Sequence, residues 1–143
     1  MHSVPEGVPR SLLHNLKHNR VIHERVLFLT VLTDDIPFVP TDQRVTVTPI
    51  VEGFWRVVAR YGFMQEPNVP EVMAMAASHG LPFRKEETTY FLGRETVISA
   101  DKPGMARWRE RLFAVMLRNA RPATGYFGLP PNRVVELGAQ VEI

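Results

Sequence analysis

Cysteine is absent from the 143 residues. That excludes disulfides, thiolate metal sites and cysteine nucleophiles together, and it suits a reducing compartment. Long apolar runs are also missing. The longest nearly unbroken one is Val26-Leu-Phe-Leu-Thr-Val-Leu32, far short of the roughly 20 residues that a membrane helix needs. Met1-His-Ser-Val-Pro5 carries neither the basic nor the apolar region of a secretory signal, so the chain is expected in the cytosol. Glycine-rich phosphate loops are lacking, because Gly62, Gly80, Gly93 and Gly104 stand alone and form neither GxGxxG nor a Walker pattern. Gly-x-Ser-x-Gly is absent as well, which removes the nucleophile elbow. Strong charge bias is missing too: a net charge of +2 and a pI near 9.3 fall short of a nucleic-acid footprint, and no nucleic-acid partner is expected.

What is present describes one packed domain. Hydrophobic residues make up 45% and charged residues 22% of the chain, near globular averages. A chain of this length buries about two thirds of its unfolded surface. No internal repeat is visible.

Pro5, Gly7 and Pro9 punctuate an extended start. Leu12, Leu13 and Leu16 then recur at helical spacing, with Pro9 tolerated in the first turn and Asn19 as a stop. Val26 to Leu32 is apolar on both faces, the pattern of a strand in the middle of a covered sheet. Val45, Val47 and Val51 alternate with polar or turn residues, and Glu52-Gly53 turns the chain into Phe54 to Tyr61. This reads as a β-hairpin whose first arm is an edge, because Pro49 has no amide hydrogen to donate. The second arm puts Trp55, Val57, Ala59 and Tyr61 on one face and Arg56 and Arg60 on the other.

Asn68 is a helix cap, Pro70 fits the opening turn, and Glu71 to His79 is a small-residue helix that Gly80 and Pro82 end. A strand is expected at Thr89 to Ile98. Met105, Trp108, Leu112, Val115 and Met116 form the stripe of an amphipathic helix. The last strand places Val135, Leu137, Ala139, Val141 and Ile143 on one face. The fold class is therefore α/β (α+β): a single-domain sandwich of a mixed, roughly five-stranded sheet with about three helices.

Candidate sites are few. His14 and His18 are four apart on one helix side, but two imidazoles without a third ligand make a basic face and no metal site. His79 suits a helix C-terminus as a dipole partner. Arg60-Tyr61-Gly62 and Tyr90-Phe-Leu-Gly-Arg94 each join an aromatic, a glycine and an arginine, and Arg60 and Arg94 are expected to face a common groove. A guanidinium there would hold a phosphate or a carboxylate, with pairing to Glu66, Glu95 or Glu136 as the ligand-free reading. Arg60, Tyr61, Arg94, Asn132 and Arg133 form the candidate regulatory ligand or interface set. Lys17, Arg20 and Arg25 form a basic cluster suited to anionic headgroups. No catalytic residue, metal ligand or cofactor is assigned.

The motifs Val8-Pro-Arg-Ser-Leu-Leu-His-Asn-Leu-Lys-His-Asn-Arg20, Arg60-Tyr-Gly-Phe63, Thr89-Tyr-Phe-Leu-Gly-Arg-Glu-Thr96 and Leu129-Pro-Pro-Asn-Arg133 with the strand to Ile143 occur in this order. Together they resemble the cytoplasmic C-terminal region of bacterial Kup-type (KUP/HAK/KT) potassium transporters. The resemblance implies that residues 1–8 are a linker stump from a preceding membrane domain and that 9–143 are the cytoplasmic domain, ending natively. It implies a regulatory or assembly role, with potassium and protons handled by the membrane part at the cytoplasmic face of the inner membrane. The implied partners are that transmembrane domain, a homodimer copy and a nucleotide effector. No transport residue falls in this chain. The alternative is a free-standing cytosolic nucleotide-binding protein or small enzyme.

Overall fold

The computed structural model of the chain describes residues 7–98, 108 and 122–142. The elements are α1 (Arg10–Asn19), β1 (Val26–Asp34), β2 (Val45–Val51), β3 (Phe54–Gly62), α2 (Val69–Ser78), β4 (Tyr90–Ile98), α3 (Ala123–Tyr126) and β5 (Val134–Glu142). Single 3-10 turns fall at Thr41–Gln43, Lys85–Glu87 and Pro131–Arg133. The expected α+β class with about five strands and three helices holds. The amphipathic helix expected around 105–118 lies, apart from Trp108, outside the described residues.

Hydrogen bonding divides the strands into two groups. One is a three-stranded sheet in the order β1-β3-β2, with β3 parallel to β1 and antiparallel to β2. The other is the parallel pair β4-β5, in register from Tyr90 opposite Val134 to Ile98 opposite Glu142. The β2-β3 hairpin forms as its alternation predicts, and Pro49 lies on the edge strand β2. β1, expected in the middle of a sheet, stands at an edge among the described residues. The hairpin arm β3 inserts between β1 and β2, so among those residues β1 is paired on one side. Its two apolar faces have separate uses: Leu27, Leu29 and Val31 pack against the core, while the Phe28 ring lies 6.2 Å from that of Phe54.

β3 supplies the centre of the core. Val57 and Ala59 are wholly buried, and Tyr61 nearly so, on the face that receives Val69, Val72, Met73 and Ala76 of α2. α2 starts where its sequence signals place it. The Asn68 side chain accepts the Glu71 amide (3.2 Å), and Pro70 occupies the first turn. It ends at Gly80, whose φ of +90° fits the left-handed region. His79 Nδ1–H donates to the Met75 carbonyl at 2.8 Å, covering one of the helix's last carbonyls. α1 packs beside β4 and β5. In β5 the inward set differs from expectation at its start, because Val134 packs on the core while Val135 is 39% exposed. The Pro131–Arg133 turn immediately precedes this strand.

Gly62 ends β3 pressed against the segment that leaves β1. A Cβ there would collide with the Pro37 carbonyl and the Phe38 amide, all backbone atoms that cannot rotate away. At Gly93, beside α1, a Cβ would make ordinary contact with Ser11 Cβ at 3.8 Å. Gly62→Ala should therefore lower unfolding free energy in urea by about 3 kcal/mol, while Gly93→Ala should stay within about 0.5 kcal/mol of the parent chain. Equal stabilities for the two variants would contradict this packing.

Candidate functional site

The sequence-derived residues separate into structural and surface roles. Tyr61 is 3% exposed, and its hydroxyl accepts the Asn68 amide (3.1 Å) and donates to the Asn68 carbonyl (3.3 Å). The Arg44 guanidinium lies 5.4 Å from the Tyr61 ring centre while bonding Glu71 and the Val39 carbonyl, each at 3.3 Å. Tyr61 thus anchors α2. Arg60 projects from the opposite face of β3, and its Nη1 meets both Asp34 oxygens at 3.0 and 3.3 Å. Glu66, Glu95 or Glu136 is the expected partner of Arg60 and Arg94. For Arg60 the parallel register instead puts Asp34 of β1 beside β3's end, and Glu136 accepts from the Thr124 hydroxyl (3.0 Å), while the Arg94 and Glu95 side chains lie outside what the structure describes.

Arg94 lies in β4 opposite Gly138, in the other sheet from Arg60. Asn132 is exposed and Arg133 half-buried in the turn before β5. Lys17 is exposed in the last turn of α1. Arg20 closes that helix in the left-handed region (φ 55°), with its amide on the Leu16 carbonyl at 3.1 Å. Arg25 lies further on and reaches the Pro82 carbonyl (3.4 Å) and Glu87 (3.6 Å). The His14 and His18 rings stack at 5.9 Å. Among the described residues no group of three or more His, Asp or Glu side chains is placed to hold a metal.

Among the described residues a cavity of about 400 Å³ is bounded by α1, β1, α2 and β4. Its wall is apolar, with Leu27, Leu29, Met73, Tyr90, Leu92 and Phe127 contributing. His23, Arg25, Arg84 and Glu87 lie at the same cavity. Glu87 sits between the two guanidiniums, 3.0 Å from Arg84 and 3.6 Å from Arg25. Among the described residues one carboxylate thus serves two guanidiniums beside an apolar chamber. Such a site suits a small anionic molecule with an apolar body. The Thr88 hydroxyl donates to the Arg84 carbonyl (2.7 Å) and is not paired with a base. Sequence reasoning missed this cavity because its lining comes from separated segments. The available signal was β1 itself: a strand apolar on both faces needs cover on both.

Burial raises the pKa of the Tyr90 phenol above its ordinary 10.0. The unfolded chain therefore ionises at this position first. The Tyr90 contribution to stability is fully present below pH 10 and is lost as pH rises through the folded value. Chemical denaturation across the alkaline range should show a falling limb above about pH 10 that is shallower in Tyr90→Phe. An unchanged limb in the variant would remove Tyr90 as a contributor.

Comparison with known proteins identifies the family of the chain. The family model described as "K+ potassium transporter C-terminal domain" matches residues 1–143. The chain is 59% identical over 138 residues to the probable potassium transport system protein Kup of Myxococcus xanthus, covering 96% of this chain and 21% of that protein. It is 55% identical over 141 residues to probable Kup 2 of Chromobacterium violaceum, covering 99% and 23%. For probable Kup 2 of Rhizorhabdus wittichii the identity is 52% over 143 residues, covering 100% and 22%. The chain thus spans less than a quarter of the length of these relatives. No solved structure matches it at a significant level. Matched along its whole length by that family model, and identical at more than half of the aligned positions to each of these Kup proteins, the chain belongs to the family of C-terminal domains of Kup-type potassium transport proteins.

Proposed function

We propose that this chain is the cytoplasmic domain that regulates or assembles a potassium uptake protein, whose membrane part moves potassium together with protons. The observation that carries the reading is the full-length match to the C-terminal domain of proteins named for potassium transport, of which it spans only 21–23%. Among the described residues no helix is long and apolar enough to cross a membrane, which is consistent with a role exerted from outside the ion path.

A domain of this kind acts by touching its neighbours differently in different transport states, since only differential contact free energy shifts an equilibrium. Lys17 and Arg20 at the end of α1, with Arg25 further on, are the basic residues for a membrane-facing approach. Of the residues Arg60, Tyr61, Arg94, Asn132 and Arg133, Tyr61 is buried against α2 and drops out, and the other four are the interface residues of this reading, with a second copy of the domain as one partner. A nucleotide or similar anionic effector would find its complement in the cavity beside Arg25 and Arg84. In the alternative reading the chain acts alone as a small cytosolic ligand-binding protein, which the same cavity would serve.

Potassium uptake in cells stripped of their own uptake systems separates the two. The full-length parent protein should restore potassium accumulation. A form truncated before Pro9, matched for membrane abundance, should change the rate or its regulation. A parent that moves no potassium would overturn the assignment and favour the free-standing ligand-binding role.

A further inference from the structure

Four large apolar side chains emerge at one corner, where the chain leaves β1 and where β3 turns towards α2. Ile36 is 47% exposed, Phe38 61%, Phe63 60% and Met64 64%. Exposed apolar residues scattered singly need no explanation, whereas a contiguous set marks a contact surface. These are joined through their backbones: the Phe63 amide donates to the Ile36 carbonyl (3.0 Å) and the Met64 amide to the Pro37 carbonyl (3.2 Å). The Gln65 carboxamide clasps the same corner. Its Oε1 accepts the Val39 and Gly62 amides, both at 2.8 Å, and its Nε2 donates to the Val39 carbonyl at 3.3 Å. The backbone is thus tied down while the large side chains stand in water. A surface ordered before contact loses little further entropy when it is covered.

The surrounding charge selects the occupant. Asp35 precedes Ile36, Glu66 follows Gln65 and Asp42 lies in the turn after Pro40, and all three are exposed. None of them is in an ion pair among the described residues, whereas the nearby cations Arg60 and Arg44 are paired with Asp34 and Glu71. An apolar centre with an acidic rim opposes an anionic lipid surface. It also opposes an identical patch on a second copy, which would bring carboxylate onto carboxylate. It complements an amphipathic segment bearing Lys and Arg. Cytoplasmic loops of membrane proteins carry an excess of those residues, and the relatives have more than three quarters of their length outside the matched region.

We infer that the Ile36, Phe38, Phe63 and Met64 corner docks a Lys/Arg-bearing cytoplasmic segment of the membrane part of the same protein, an inference that rests on the potassium-transporter reading above. The test places a photoreactive benzophenone amino acid at Phe63 in the full-length protein in membranes, with Val51, 60% exposed on edge strand β2, as the control position. The expected adduct is intramolecular, maps outside these 143 residues to a net-positive segment, and is scarce from position 51. Combining Asp35→Lys with Glu66→Lys should lower its yield several-fold. Adducts to a second copy, to lipid or to another protein, no adduct, or a yield indifferent to charge reversal would each overturn the proposal. Potassium uptake measured in the same cells keeps the two readings apart. Uptake without the adduct removes this docking surface alone, and the adduct without uptake removes the potassium role alone.

Discussion

The Tyr61 hydroxyl lies between the amide and the carbonyl of Asn68, and the rest of the fold is arranged around that exchange. Asn68 is the hinge between the central strand and α2, a helix of 10 residues. A helix that short is marginal without tertiary support. The Asn68 side chain caps it, the Asn68 carbonyl also accepts the Val72 amide (3.1 Å), and the Val69 amide next along donates to the Phe127 carbonyl (3.0 Å). Three stretches of sequence are pinned within two residues of one another. Leaving one such buried group unpaired costs about 1–3 kcal/mol, a large share of what holds a domain of this size together.

Once α2 is fixed on the inner face of β3, the remaining apolar residues have one direction in which to pack. Leu27, Leu29 and Val31 of β1, Tyr90 and Leu92 of β4, and Leu129 and Val134 near β5 join a single cluster with Val57 and Val72. That cluster bridges two hydrogen-bonded groups of strands, so among the described residues the joint between them is made by side chains and not by a continuous ladder. Side chains meeting across such a joint leave space more readily than strands in register, and the cavity lies there. The outer edge of β2 is protected by Pro49, which offers no donor to an incoming strand.

Local chemistry was legible and distant pairing was not. Asn68, Pro70 and Gly80 marked α2 because caps, a first-turn proline and a left-handed terminus act within a few residues. Pro49 marked an edge for an equally local reason. The place of β1 was misread because apolarity on both faces reports cover, and cover at a sheet edge by a neighbouring layer looks the same as cover at its centre. Arg60 was matched with the wrong carboxylates because its partner, Asp34, is 26 residues away and reaches it only through the parallel register. Gln65 gave no signal at all. Its three bonds depend on Gly62 meeting the Pro37 segment, a contact fixed only after β1 and β3 are paired. Of the candidate site, the basic and arginine-bearing motifs could be named from sequence, while the cavity that gathers Arg25, Arg84 and Glu87 could not.

Apolar and charged residues divide the work of holding this domain together. Two of the ion pairs among the described residues keep much of their surface in water: the Arg60 and Asp34 side chains retain 46% and 28%, and those of Arg84 and Glu87 retain 70% and 55%. Pairs of that kind contribute at most about 1 kcal/mol each. For these exposed pairs, burial and backbone bonding elsewhere carry the stability, whereas Arg44, 13% exposed and bonded to the Val39 carbonyl, is held at the edge of the core. Glu87 already divides itself between Arg25 and Arg84. An anion that took one guanidinium would leave the carboxylate to the other, exchanging contacts of similar strength.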